Sequence, residues 1–104
     1  MAGVKGITLS MSPKRFDANQ RDIVAALRRA GGSVLVLSMV GKGCADIAVG
    51  LRGQNYFLEI KDGGKSPSRR VLTSDEQAWH EQWQGQVAIV TSVEEAYRVL
   101  GLVE

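Results

Sequence analysis

Residues 45–61 read ADIAVGLRGQNYFLEIK, and the pairing of this stretch with itself decides the fold. Apolar and polar positions alternate on both sides of Arg52 and Gly53, a dipeptide suited to a two-residue hairpin turn. With that turn Leu51 pairs with Gln54, and Asp46 falls directly opposite Glu59. Side chains alternate with period two, so Ile47, Val49, Leu58 and Ile60 share an apolar face. Asp46, Ala48, Phe57, Glu59 and Lys61 share the other.

Upstream, SVLVLSMV (33–40) is a β-branched run too short for a helix, and GKGC (41–44) joins it to the hairpin as a glycine loop. Before it, residues 17–30 carry Ile23, Val24 and Leu27 at helical spacing and stop at Gly31 and Gly32. Downstream, DGGKSPSRRVL (62–72) has loop composition, and a helix is expected over 74–84 with Ala78, Trp79 and Trp83. QVAIVTS (86–92) reads as a fourth strand, and Ser92 opens a last helix whose Val93, Ala96, Val99 and Leu100 face inward until Gly101. The order is αβββαβα. A meander followed by a helical crossover predicts a mixed four-stranded sheet flanked by helices, an α/β architecture.

A chain of 104 residues has room for one core, which places a single domain over 17–104 and leaves 1–16 as a mobile arm. Thirteen Lys and Arg against eleven Asp and Glu give a net charge of +2, so nucleic-acid affinity must come from charge placement. One cysteine, Cys44, and one histidine, His80, exclude an internal disulfide and a structural zinc site. No run is long and apolar enough for a membrane span or a signal peptide, so a cytoplasmic protein without a membrane partner is expected. Gly41 and Gly43 lack the Lys-Ser/Thr ending of a phosphate-binding loop, and no nucleotide cofactor is expected.

Directly opposed residues hold their Cβ atoms roughly 5 Å apart, and two like charges there repel unless a cation lies between them. Carboxylate oxygens suit Mg²⁺ or Mn²⁺, which can hold a phosphate oxygen and an attacking water together. Lys61 can then stabilise charge developing at phosphorus. This pattern points to metal-assisted phosphodiester hydrolysis, and the competing reading is an ordinary solvent-facing cluster. Lys65, Arg69 and Arg70, in the loop after Lys61, are candidates for contacts to flanking phosphates, and Gly43 for a close backbone approach to the metal or the scissile phosphate. Thr73 with Glu76 makes a capping box. His80 reads as a packing residue, and Trp79 with Trp83 as a core or dimer stripe.

The runs GKGCADIAVG, FLEIKDG and LTSDEQAWHEQWQGQVAIV resemble the VRR-NUC branch of the PD-(D/E)XK nuclease superfamily, in particular its small stand-alone phage and prophage members. The resemblance covers nearly all of the chain from Asp17 onward. It implies a restriction-endonuclease-like core, with Asp46, Glu59, Lys61 and Gln77 as the catalytic set. Asp46, Glu59 and the Ile60 carbonyl would be the metal ligands, with Mg²⁺ or Mn²⁺ as cofactor. It further implies a DNA endonuclease acting on branched DNA such as Holliday junctions, working as a homodimer so that two cuts are coordinated. Ala45 stands where the family usually has proline. Gln20 stands nearest to the glutamate that the family's first helix offers to the metal, and also fits a capping box with Asp17. The runner-up function is a non-catalytic DNA-binding module that keeps the nuclease fold.

Overall fold

In a computed structural model that describes residues 18–62 and 71–103, helix α1 (Ala18–Arg29) leads into three successive strands, β1 (Ser33–Val36), β2 (Ile47–Leu51) and β3 (Gln54–Ile60). Helix α2 (Ser74–Gln82), strand β4 (Val87–Val90) and helix α3 (Val93–Val99) complete the expected order. The sheet order is β1-β2-β3-β4, antiparallel across the first two pairs and parallel between β3 and β4. The single parallel pair follows from the crossover through α2, which returns the chain to the edge of β3 in the same direction.

The hairpin has the register read from the sequence, with Leu51 on Gln54 and Ile47 on Leu58. Arg52 and Gly53 both take positive φ, 54° and 81°, the geometry of the mirror-image turn whose twist matches the flanking strands. The two faces separate as alternation requires. Ile47, Val49 and Leu58 are almost fully buried against Ile23, Val24 and Leu27 of α1, with Ala96 of α3, Leu100 and Val90 completing the core. Burial of each large aliphatic side chain stabilises the fold by about 1.5–3 kcal/mol. The Tyr97 hydroxyl donates to the Ala26 carbonyl at 3.3 Å, tying α3 to α1.

The other face carries the row Leu35, Ala48, Phe57 and Val87 across all four strands. Helix α2 covers only part of it. Trp79 and Trp83 stack on each other at 5.1 Å and meet Phe57 edge-on at 5.4 and 4.6 Å, while Leu35 on β1 stays 62% exposed. The tryptophan stripe is therefore packing against the sheet, with Trp83 still partly exposed.

Several boundaries differ from the sequence reading, among them β4, read over 86–92 and formed over Val87–Val90. Strand β1 stops at Val36, because after one more rung, Leu37 N–H to Asp46 carbonyl, the chain turns through Val40 N–H to Leu37 carbonyl. Helix α2 stops at Gln82, where Trp83 becomes an extended cap that keeps its ring on Phe57. Among the described residues no helix is long and apolar enough to cross a membrane. The arm expected at 1–16, the cap expected at Asp17, and the basic residues Lys65, Arg69 and Arg70 lie outside the described residues.

Candidate active site

The hairpin register carries one residue past β2 and sets Asp46 across from Glu59. At Asp46 the regular ladder gives way to a side-chain contact. Its main-chain N–H donates to the Leu58 carbonyl at 3.1 Å, and its Oδ2 accepts the Ile60 N–H at 2.7 Å. The carboxylate thus satisfies an amide that the ladder would otherwise leave open, which holds the side chain beside β3. The Ile60 carbonyl leaves β3 on the same edge as that amide.

Lys61 is held by its main chain as well as by its ammonium. Its N–H donates to the Val90 carbonyl at 3.0 Å, and its own carbonyl accepts Asn19 Nδ2 at 2.9 Å, an amide that also reaches the Thr91 carbonyl at 3.1 Å. Its Nζ lies 3.6 Å from Glu59 Oε2. Asp46, Glu59 and Lys61 are therefore brought together on the sheet face that α2 partly covers.

Helix α2 adds two side chains that the sequence reading left out. Glu76 Oε1 accepts Lys61 Nζ at 2.9 Å and also accepts the Thr73 N–H at 2.9 Å, so the expected capping box exists and its acid serves the lysine too. His80 Nε2 stands 3.7 Å from Glu59 Oε1. Gln77, named from the family resemblance, is not brought to this cluster: it is exposed and its amide donates to Glu81 at 3.1 Å. The reason is helical phase. Residues 76, 79, 80 and 83 share the face that meets the sheet, and at roughly 100° per residue position 77 points well to one side. The tryptophan spacing already marked that face, and extending it to its acid and its imidazole would have found both.

Gln20 is buried and donates to the Ser38 hydroxyl at 3.3 Å. Gly43 makes a close backbone approach, but to α2: φ is +81°, and a Cβ there would collide with the Asp75 carbonyl and lie 2.8 Å from the Glu76 amide. Its lack of a side chain lets the glycine loop lie against the first turn of α2, which places Glu76.

The electrostatics are those of acids short of a cation. Burial, then the charges of Asp46 and Glu76, push the Glu59 carboxyl from 4.5 up to about 9 despite Lys61. Burial also raises Asp46, against the Ile60 amide, Glu59 and Lys61, which favour its charge. Burial pulls the Lys61 ammonium down, but the Glu76 hydrogen bond and the charges of Glu76, Glu59 and Asp46 outweigh it and the net shift is upward. For Glu76, burial acts upward, and the bonds from Lys61 and Thr73 prevail and lower it. Burial lowers His80. Burial beside Glu59 and Asp46 raises Cys44, which keeps it a neutral thiol and a poor nucleophile.

These residues fit a divalent ion. The side chain of Glu59 is 3% exposed, and its Oε1 has no hydrogen-bond partner among the described residues. Carboxylate and carbonyl oxygens are the donor set of Mg²⁺ and Mn²⁺. Among the described residues no three His, Cys, Asp or Glu side chains converge on one point. An ion here would take Asp46 and Glu59 with water, the partly hydrated state that Mg²⁺ prefers.

No family model matches the chain. It is 39% identical over 57 residues to a tRNA (cytidine(56)-2'-O)-methyltransferase of Methanopyrus kandleri, a match spanning 55% of this chain and about a third, 32%, of that protein. A solved structure described as a VRR_NUC domain superposes with a TM-score of 0.64 at 24% identity, over 86% of this chain and 98% of the other. The four-stranded mixed sheet, the helices that flank it and the near-complete superposition together show that this chain has the VRR_NUC fold.

Proposed function

We propose that the chain is a divalent-metal-dependent DNA endonuclease of the VRR-NUC family, cutting phosphodiester bonds in branched DNA. One observation carries this reading: on a VRR_NUC fold, the buried carboxylate of Glu59 and the half-buried one of Asp46 sit side by side with the Lys61 ammonium 3.6 Å from Glu59.

Asp46 and Glu59, with the Ile60 carbonyl, are the residues that would hold Mg²⁺ or Mn²⁺. When bound, such an ion neutralises the acidic pair and polarises a phosphate oxygen. Lys61 supplies a fixed positive charge toward the oxygen on which negative charge builds, and Glu76 fixes the direction of its Nζ. Asp46 is oriented before substrate arrives by the Ile60 amide. Lys65, Arg69 and Arg70 follow Lys61 in the chain and are assigned to phosphates flanking the cut. A two-fold dimer would set two such centres on the two strands of a junction, and a cytoplasmic location suits this work.

The test is incubation with end-labelled four-way junction, flap, linear duplex, single-stranded DNA and a folded tRNA, with Mg²⁺, Mn²⁺ or EDTA, beside Asp46→Ala. The RNA arm answers the similarity to the tRNA enzyme. Metal-dependent DNA cleavage, strongest on branched substrates and lost in the variant, is expected. Cleavage that persists in Asp46→Ala overturns the site. Salt-sensitive binding without any cleavage replaces the enzyme with a non-catalytic DNA-binding module.

A further inference from the structure

Among the described residues, two buried side-chain polar atoms lack a hydrogen-bond partner, Glu59 Oε1 and His80 Nε2, and they face each other across 3.7 Å. The distance is too long for a hydrogen bond and the two side chains are only 3% and 11% exposed, so each atom carries a desolvation cost that nothing nearby offsets. Such a pair marks a place for a third body. The gap is wider than a hydrogen bond and narrow enough that a small side-chain shift would let both atoms reach one ion at bond lengths of about 2.1 Å.

The surroundings favour a cation. An ion that displaces the Glu59 proton leaves Oε1 and the neutral imidazole nitrogen both as acceptors, so the two can share a cation but not a hydrogen bond. The Lys61 ammonium is directed to the far oxygen of Glu59 and to Glu76, leaving Oε1 without a positive partner. His80 is held in place by α2 and by its edge contact with Trp79 at 5.5 Å, so the nitrogen is aimed before any ligand arrives.

We propose that His80 Nε2 is a direct ligand of the divalent ion carried by Glu59, so that the site selects Mn²⁺ over Mg²⁺. This rests on the metal-site reading above and adds a ligand and an ion preference to it. Imidazole binds first-row transition ions well and Mg²⁺ poorly, whereas a site of carboxylates and water alone separates the two ions little. Asp46, Glu59 and His80 do not converge on one point, so Asp46 would have to move to share the ion, and the remaining positions fall to water or a phosphate oxygen of the substrate.

The chain has a single histidine, which makes the test specific. The 104-residue chain without DNA is loaded with Mn²⁺, and electron spin-echo modulation is used to detect nitrogen coupling to the ion. Mn²⁺ and Mg²⁺ affinities are measured by calorimetry for wild type and His80→Gln. Imidazole nitrogen coupling is expected in wild type and not in the variant. Mn²⁺ affinity should fall roughly tenfold or more in the variant, with Mg²⁺ affinity changed less than about threefold. Binding of both ions with no nitrogen coupling and an unchanged Mn²⁺ to Mg²⁺ ratio overturns the role of His80 and leaves the carboxylate site standing, with a water between the two atoms. Binding of neither ion overturns both readings.

Discussion

Replacing Glu59 by Gln should stabilise the metal-free protein while removing its response to metal. The carboxyl is almost fully buried beside Asp46, which pushes it from 4.5 to about 9. A raised carboxyl contributes its full stability below the ordinary value of 4.5, and that contribution is lost as pH rises toward about 9. At about pH 7.5 the folded chain must hold a proton that the unfolded chain has released, an upper bound of about 4 kcal/mol at roughly 1.4 kcal/mol per pH unit. Gln has the same shape and needs no proton. Relaxation around Lys61 and partial solvation reduce the gain, so about 2 kcal/mol is expected, or a Tm rise of roughly 8–16 °C for a domain of this size. Thermal unfolding in EDTA should show this gain at about pH 7.5 and little of it below about pH 4.5, where both states keep the proton. Adding Mn²⁺ should raise the wild-type Tm, by about 2.7 kcal/mol of stability at a hundredfold excess over Kd, and leave Glu59→Gln unmoved. A variant that is less stable at about pH 7.5, or a gain that is the same at acid pH, would refute the buried-acid argument.

Three further outcomes are expected. Gly43→Ala adds a Cβ where the Asp75 carbonyl lies and imposes an unfavourable φ of +81°, so it should lower stability by about 2 kcal/mol or more, read from urea unfolding, and reduce cleavage by displacing Glu76. Glu76→Gln keeps a capping acceptor but loses the charge that holds Lys61, so stability should change by under about 1 kcal/mol while kcat falls with KM for DNA little changed; unchanged kcat would remove Glu76 from the site. Arg69→Ala with Arg70→Ala should weaken DNA binding and reduce the slope of log affinity against log salt by about 2, and an equal slope in the double variant would take the loop out of the footprint.

Local periodicity and turn chemistry were enough to read the hairpin and the helix caps from the amino acids alone. The Arg52-Gly53 turn pins the register, and with period two that register sorts Asp46, Glu59 and Lys61 onto one face without reference to the rest of the chain. The capping box at Thr73 and the cap at Ser92 were legible for the same reason, since each satisfies amides within one turn. The contribution of α2 was not legible in this way. Which residues of a helix meet a sheet depends on its rotation about its own axis, and here that is set by long-range contacts: Phe57 against both tryptophans, and the first turn of α2 against Gly43. That rotation turned Gln77 to solvent and brought Glu76 to Lys61 and His80 to Glu59, from 15 and 21 residues away in the chain. The perturbation of the acids is also tertiary, because desolvation of Glu59 requires α2 to close over the sheet, and no local pattern of residues encodes how much water a neighbour excludes.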